Sequence, residues 1–234
     1  PDDTVKPNYI QEFMVNRGSD VIFFDFELVD SKGDVIKKLN VNPFYSSENS
    51  EKMNLKYFML TKHASWTRIY KSDFLSDFRF PIGKIYEDAF YHYDLINYAD
   101  KYAVSTKPYY YYFHRGDSIT TKPYREIDLV YIDIYKKYYD LISKEYRGLL
   151  DEAFFRLSYA HFFILDKMLL EKDYRKLDHY KEVVSFLKKN AIKISKNTIF
   201  RRNRRIAALV LFVNVKLYRK LLFSNIENSK RIHE

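Results

Sequence analysis

The chain has 234 residues, which is enough for one large domain or two small ones, each with its own hydrophobic core. Its composition, 47% hydrophobic and 30% charged with only 5 Gly and 6 Pro, excludes collagen-like, low-complexity and wholly disordered proteins. The absence of Cys excludes disulfide scaffolds, thiolate zinc sites and cysteine nucleophiles, and it fits a reducing compartment. Residues 195–234 carry +8 of the net charge of +9, so an anionic partner is predicted for that segment only.

Before residue 123 the pattern predicts a mixed α/β region. The first expected elements are a short helix at 8–15, a strand at 19–29 and a second strand at 35–39 that completes a hairpin. They are followed by a polar loop at 40–50, a helix at 51–60, a strand at 65–70 and a helical turn at 72–77. The last expected elements are a helix at 87–98 that opens with two acids, and two strands at 102–105 and 109–113.

After Pro123 the sequence predicts helices only. Apolar residues recur at helical spacing in four segments with few turn residues between them: 127–144, 150–170, 173–189 and 201–223. We therefore predict two domains, an α/β domain over residues 1–122 and an all-helical domain over residues 123–234.

The common catalytic motifs do not occur in this sequence. The glycines are too scattered for a dinucleotide or phosphate loop, GxSxG and HExxH are missing, and the six His never take paired zinc spacing. What remains is carboxylate chemistry set among 23 Tyr, 19 Phe and a single Trp.

Two pairs of adjacent acids are candidates for that chemistry. Asp2 and Asp3 precede a turn and a helix, so they can hold Mg²⁺ or Mn²⁺ through oxygen atoms, or they can cap the helix. Glu87 and Asp88 open a helix, where they can complement the helix dipole or supply a general base. On position alone, the structural alternative is favoured for both pairs.

Aromatic and basic residues mark a candidate binding surface. Trp66 can be a platform for the apolar side of a sugar or base, with Arg68 meeting a phosphate, or it can be a core residue. His114 and Arg115, at the end of the strand predicted at 109–113, can contact a diphosphate or form a solvated strand end.

Taken in order, these motifs resemble the later portion of family 2 glycosyltransferases of the GT-A fold, in the bacterial branch that builds capsular and other surface polysaccharides. The family pattern has an aspartate-rich metal loop, a Trp before a basic-x-Tyr segment, and a Phe-Pro-x-Gly-x-x-x-Glu-Asp stretch. A Pro-x-Tyr-x-Tyr strand then ends in a basic residue and Gly-x-Ser-Ile-Thr. The matching segments lie at 1–4, 66–71, 80–88, 108–112 and 114–120, so the match covers residues 1 to about 122.

The resemblance implies the C-terminal portion of a Rossmann-like GT-A glycosyltransferase domain, followed by an all-helical region. Asp2 and Asp3 would hold Mg²⁺ or Mn²⁺ against the diphosphate of a nucleotide sugar, in this family a UDP-sugar. Asp88, with Glu87 beside it, would be the catalytic base of an inverting transfer to a hydroxyl of a glycan or lipid-linked acceptor. Asp3 and Asp88 would then converge on one sugar–phosphate bond.

The resemblance also implies roles for the remaining candidate residues, and it implies that one part of the family's domain lies outside the matched residues. Trp66 and Arg68 would lie near the acceptor or the phosphates, and His114 and Arg115 would lie on a segment that closes over the diphosphate. The family's nucleotide-binding half would precede Pro1, and we expect the chain to bind donor poorly without it.

The last predicted helix combines an apolar run with basic residues. The run, 206–213, has eight residues, whereas a membrane span needs about 20. Four arginines precede it: Arg201, Arg202, Arg204 and Arg205. They suit a helix that lies on an anionic membrane leaflet, or a helix that packs on 150–170 with a solvated basic face.

Three functions follow from these patterns. The leading hypothesis is a metal-dependent glycosyltransferase in the cytoplasm, docked on the inner face of the cell membrane. The alternative is a non-catalytic module that binds glycan through its aromatic residues and an anionic surface through its tail. Nucleic-acid binding depends on the arginine cluster alone and is disfavoured.

Overall fold

The computed structural model of the chain describes residues 3–30, 33–39, 64–75, 79–95, 101–113 and 123–233. The loop predicted at 40–50, the helix predicted at 51–60 and the candidates Asp2, His114 and Arg115 lie outside these residues. The chain forms two compact units, Pro1–Thr121 and Lys122–Glu234.

The described part of the first unit is a mixed sheet with helices. Its strands are β1 (Thr4–Val5), β2 (Val21–Val29), β3 (Val35–Leu39), β4 (Arg68–Tyr70) and β5 (Tyr102–Phe113). Its helices are α1 (Tyr9–Val15), α2 (Ser72–Leu75) and α3 (Glu87–Leu95). The predicted hairpin of β2 and β3 is confirmed, as are the helices that were expected at 8–15 and from residue 87.

Strand β2 is the centre of the sheet because both of its edges are paired. β5 runs parallel along one edge, while β4 and β3 pair antiparallel with the first and last parts of the other edge. A strand that is paired and covered in this way needs a nearly continuous apolar sequence, and β2 reads VIFFDFELV. Its two buried acids include Glu27, which forms an ion pair with Lys6 at 3.3 Å.

Strand β5 corrects one prediction. Residues 102–113 form one strand and not two, and its register against β2 shifts on both sides of the pairing between Asp25 and Pro108. Proline has no N–H to donate to a ladder, so a local irregularity at Pro108 lets the strand continue past it. The predicted strand at 65–70 is also shorter than expected, because a 3₁₀ turn occupies Ser65–Thr67 and β4 begins at Arg68.

The described part of the second unit is entirely helical, as predicted. Its helices are α4 (Val130–Glu145), α5 (Leu150–Leu170), α6 (Tyr180–Lys189), α7 (Ala191–Lys196), α8 (Arg202–Val213) and α9 (Val215–His233). Helix α5 has the predicted bounds and lies at the centre of the unit, with buried residues on most of its surface. Each helix within the described residues is too short or too polar to cross a membrane.

Two segments that were predicted as single helices are interrupted. The segment 201–223 breaks at Asn214, whose extended backbone ends α8 and whose side-chain oxygen accepts from the N–H groups of Lys216 (2.8 Å) and Leu217 (3.3 Å). Asparagine favours this capping role, so Asn214 starts α9 as a new helix. The segment 173–189 breaks at His179, which has a left-handed backbone (φ 62°), so that α6 begins at Tyr180.

Candidate functional site

The described candidate residues of the first unit have contacts on the two faces of the sheet. Because neighbouring strand residues point to opposite sides, Phe24 and Phe26 of β2 lie on one face and Phe23 lies on the other. We call these the Phe24 face and the Phe23 face.

Asp3 is held at the end of β5 on the Phe24 face. Its Oδ1 accepts the backbone N–H of Phe113 at 2.9 Å, and its Oδ2 accepts the hydroxyl of Tyr110 at 2.8 Å. The Tyr110 ring lies 6.4 Å from that of Phe24. Burial, and then the neighbouring Asp3, raise the pKa of Tyr110, so its hydroxyl keeps the proton that it donates. Both oxygens of Asp3 therefore accept from β5, which does not match the alternative that Asp3 caps α1.

Trp66 packs into an aromatic cluster on the same face. Its ring stacks on Tyr112 with centroids 4.7 Å apart and on Tyr110 at 5.0 Å, and it meets Phe26 edge-on at 4.6 Å. The residue remains half-buried. Since Tyr110 contacts both Trp66 and Asp3, the structure brings these two candidates together.

Arg68 lies on the Phe23 face and is buried. It stands opposite Phe23 in the pairing of β4 with β2, and its guanidinium carbon is 4.9 Å from the centre of that ring. Only 3% of the residue is exposed, and Nη1 lies 2.7 Å from the ring nitrogens of His92 on α3. The Tyr70 hydroxyl also contacts His92, so Arg68 belongs to a buried polar cluster with Tyr70 and His92.

Asp88 is the second residue of α3 and borders this polar cluster. Its Oδ1 accepts the N–H of Ala89 at 2.8 Å, and the residue is half-buried. Burial, and then the negative charge of Glu87, raise the pKa of Asp88 to about 6, against the opposing effects of the Ala89 N–H and the Arg68 charge. At neutral pH such a carboxylate is ionised and yet more basic than an ordinary aspartate, which suits a general base.

The turn that leads into α3 is strained. Tyr86, directly before Glu87, has a left-handed backbone with φ 58°. For a bulky residue this conformation costs about 1–2 kcal/mol. Strain of this kind recurs at functional sites, and here it lies directly before Glu87 and Asp88.

The structure does not bring Asp3 and Asp88 together through these contacts. The partners of Asp3 belong to the Phe24 face, whereas Arg68, whose charge lowers the pKa of Asp88, belongs to the Phe23 face. Within the described residues the candidates thus form two groups. One contains Asp3 and Trp66, and the other contains Arg68, Glu87 and Asp88.

The fit of a metal ion can be judged at Asp3. The described ranges contain no group of three or more His, Asp or Glu that could hold an ion. Asp3 is nevertheless a suitable single ligand, since each of its oxygens has a further lone pair beside the hydrogen bond from β5. Mg²⁺ is commonly bound by one or two carboxylates together with substrate phosphates, and Asp3 fits that kind of site.

His92 and Tyr70 are site residues that the sequence analysis missed. A usable signal was present, because Asp88 and His92 are four residues apart on a helix and share a face. Arg68 and Tyr70 likewise alternate on a strand and point to the same side. Local spacing does not show that the two pairs meet, which they do through the contacts of Arg68 and Tyr70 with His92.

The four candidate arginines of the second unit, Arg201, Arg202, Arg204 and Arg205, do not form one surface. Arg204 Nη1 donates to Asp166 and to the Tyr218 hydroxyl, both at 3.0 Å, and Arg205 Nε donates to the Ser195 carbonyl at 2.6 Å. Arg201 and Arg202 are exposed. The side chains of Arg204 and Arg205 therefore join helices within the unit, which agrees with the alternative that the segment packs on 150–170. Membrane binding by the four arginines stays a prediction.

Comparison with known proteins identifies the fold. No protein-family model matches the chain, and no curated protein matches it. Among solved structures it is similar to residues 1–349 of TarS from S. aureus, in complex with UDP-GlcNAc, with a TM-score of 0.56 and 16% identity. The chain has the fold of TarS. The similarity covers 97% of this chain, which spans 66% of the TarS chain. The predicted α/β class is confirmed at this level.

Proposed function

We propose that the chain acts in glycosyl transfer from a nucleotide sugar, a UDP-sugar, to a hydroxyl of a glycan or lipid-linked acceptor. The observation that carries this proposal is the fold it shares, along nearly its whole length, with a protein solved with UDP-GlcNAc. The family 2 motifs further suggest an inverting transfer in the synthesis of bacterial surface polysaccharide. Asp88 is the residue we assign to the chemistry, with Glu87 next to it.

The proposed step needs one base. Asp88 takes the proton of the acceptor hydroxyl while that oxygen attacks the anomeric carbon, and the bond from that carbon to the diphosphate oxygen breaks. The sugar leaves the nucleoside diphosphate and its anomeric configuration inverts. A displacement of this kind does not need the pair of carboxyl groups that glycosidases use. The neighbouring Glu87, which contributes to the raised pKa of Asp88, helps to make this base stronger.

A divalent cation is a separate part of the proposal. Asp3, together with Asp2, would hold Mg²⁺ or Mn²⁺, which when bound neutralises charge on the diphosphate. Trp66 shares the Tyr110 contact with Asp3, so we assign this side of the sheet to substrate binding. For His114 and Arg115 the family motifs suggest a role at the diphosphate. Because Asp3 and Asp88 share no contact within the described residues, the metal and the base are tested by separate experiments.

The proposed activity is tested by calorimetry and by release of nucleoside diphosphate. We expect the natural full-length protein to bind one nucleotide sugar from a panel that includes UDP-GlcNAc, and to release the diphosphate when acceptor is added. Removing metal with EDTA should abolish both signals, and Mn²⁺ or Mg²⁺ should restore them. Binding of glycan without diphosphate release from any donor would favour the non-catalytic module instead.

The pKa of Asp88 predicts the pH dependence of the reaction. Only the ionised carboxylate can take a proton, so the rate should fall on the acid side with an apparent pKa of about 6. The measurement is the initial rate at saturating donor and acceptor between mildly acidic and neutral pH. A rate that stays constant well below that pKa would contradict the assignment of Asp88 as base.

A further inference from the structure

The second unit contains a basic groove that the proposed function does not use. The groove has a volume of about 810 Å³ and lies between the 3₁₀ turn Tyr174–Lys176 and helix α9. Six of its lining residues are basic: Lys172, Arg175, Lys176, Lys216, Arg219 and Lys220. Only Asp173 and Glu227 oppose them, so the lining carries a net charge of +4.

The floor of the groove is fixed by Arg219. Its Nε donates to the carbonyl of Leu169 at 2.7 Å, near the end of α5. Its guanidinium lies over the rings of Tyr174 at 4.9 Å and Phe223 at 5.0 Å. A cation at the carbonyl end of a helix is stabilising, so Arg219 has a structural role and its aromatic neighbours form a rigid base.

The rim of the groove carries basic groups that are exposed. Lys216 and Lys220 are four residues apart on α9 and therefore adjacent, and Lys172 and Arg175 are exposed on the other side. Like charges at this spacing destabilise a helix slightly. Lys176 forms an ion pair with Asp173 at 3.5 Å, but both side chains are exposed and such a pair contributes little. An anion in the groove would relieve this repulsion.

Exposed apolar side chains lie directly beside these lysines. Leu217 and Leu221 follow Lys216 and Lys220 in the sequence and are 48% and 42% exposed. One residue along a helix is about 100° of rotation, so this pair of leucines lies on the helix surface that adjoins the groove. Phe212 and Val213, at the end of α8, are also exposed.

We propose that this groove binds the phosphate headgroups of anionic phospholipids, while Leu217 and Leu221 enter the boundary of the acyl chains. A helix that lies on a membrane combines a cationic side with exposed apolar residues, and both are present on α9. A soluble phosphate or a nucleic acid would match the lysines but would leave the exposed leucines without a role. The proposal goes beyond the transfer reaction and does not depend on it.

The test is co-sedimentation of the chain with phosphatidylcholine vesicles, with and without phosphatidylglycerol. We expect binding that needs phosphatidylglycerol. The double variant Lys216→Gln/Lys220→Gln should weaken it about fivefold for each lysine removed. The matched control is Lys181→Gln/Lys189→Gln, which removes the same charge from exposed positions on α6 and should change binding little. Circular dichroism melting verifies that every variant is folded.

The leucines separate the lipid assignment from a purely electrostatic one. Leu217→Ser/Leu221→Ser keeps the charge of the groove and should still weaken binding to phosphatidylglycerol vesicles. Equal losses of vesicle binding in Lys216→Gln/Lys220→Gln and in the control Lys181→Gln/Lys189→Gln would show that the groove is not the binding site. Vesicle binding that is insensitive to the leucine change, together with equally tight binding of an oligonucleotide, would assign the groove to a soluble polyanion and overturn the proposal.

Discussion

Replacing Asp88 with Asn should lower the turnover of the transfer reaction by about 10²–10⁴-fold, the usual contribution of a general base. The amide has nearly the shape of the carboxylate, and its oxygen can still accept the N–H of Ala89. It cannot take a proton from the acceptor hydroxyl. Donor affinity should therefore stay close to that of the natural protein, so that turnover and not binding reports the loss.

The same substitution should not destabilise the fold at neutral pH. The pKa of Asp88 is about 6 in the folded chain and close to 3.8 in an unfolded one, so between these values the folded state binds more protons. The free energy of unfolding then decreases as pH rises through this window, and at neutral pH the ionised carboxylate is a net cost to stability. Because Asn is uncharged, it removes this cost. Urea unfolding at neutral pH should show equal or greater stability for Asp88→Asn.

The control for this prediction is on the same helix. Asp94 is exposed on α3, and Asp94→Asn should leave turnover nearly unchanged. If Asp88→Asn keeps the turnover of the natural protein, another group is the base. If it loses turnover only because the protein unfolds, the melting curve will show this directly.

The sequence predicted those parts of the fold that depend on local pattern. Helix α5 has the predicted bounds because its apolar residues recur at helical spacing over 21 residues. Strand β2 was recognised from a run of β-branched and aromatic residues, which a central strand needs. The interruptions at Asn214 and His179 were missed, because a single polar residue within an apolar period does not reveal whether it caps a new helix.

The candidate site depends on contacts that local pattern does not encode. Asp3 is fixed by Tyr110 and Phe113, more than a hundred residues further along the chain. Arg68 meets Phe23 because β4 pairs with the first part of β2, and it meets His92 through the packing of α3. The register of such pairings is set by the whole sheet. The sequence could therefore propose these residues one by one, but not which face each of them would occupy.

The basic tail shows the same limit within a single helix. Arg202 and Arg204 are two positions apart, which is about 200° around a helix, so the two side chains point in nearly opposite directions. A run of arginines resembles one charged surface in sequence, although the helix divides it between solvent and interior. This division makes Arg202 and Arg204 a matched pair for experiment.

Replacing Arg204 with Ala should lower the free energy of unfolding by about 1–3 kcal/mol, since it removes one partner of a partly buried, hydrogen-bonded charge pair. Arg204 on α8 contacts Asp166 of α5 and the Tyr218 hydroxyl of α9, and its guanidinium carbon lies 4.9 Å from the centre of the Phe162 ring. The Tyr218 hydroxyl donates to Asp166 as well, so three helices share one polar cluster. The matched change Arg202→Ala, at an exposed position, should stay within about 0.5 kcal/mol.

The loss in Arg204→Ala should also depend on pH. Burial raises the pKa of Asp166, and the Arg204 charge opposes that rise. Without Arg204 the pKa of Asp166 rises further, so the folded state binds a proton that the unfolded chain releases, and stability falls as pH increases through the acid range. The deficit of the variant relative to the natural chain should therefore be smallest at acid pH and largest at neutral pH. Urea unfolding at both values measures it. Two results would contradict this explanation: a stability deficit of Arg204→Ala that does not change with pH, or equal losses of stability in Arg202→Ala and Arg204→Ala. Either would show that Arg204 does not stabilise the fold by compensating the charge of Asp166.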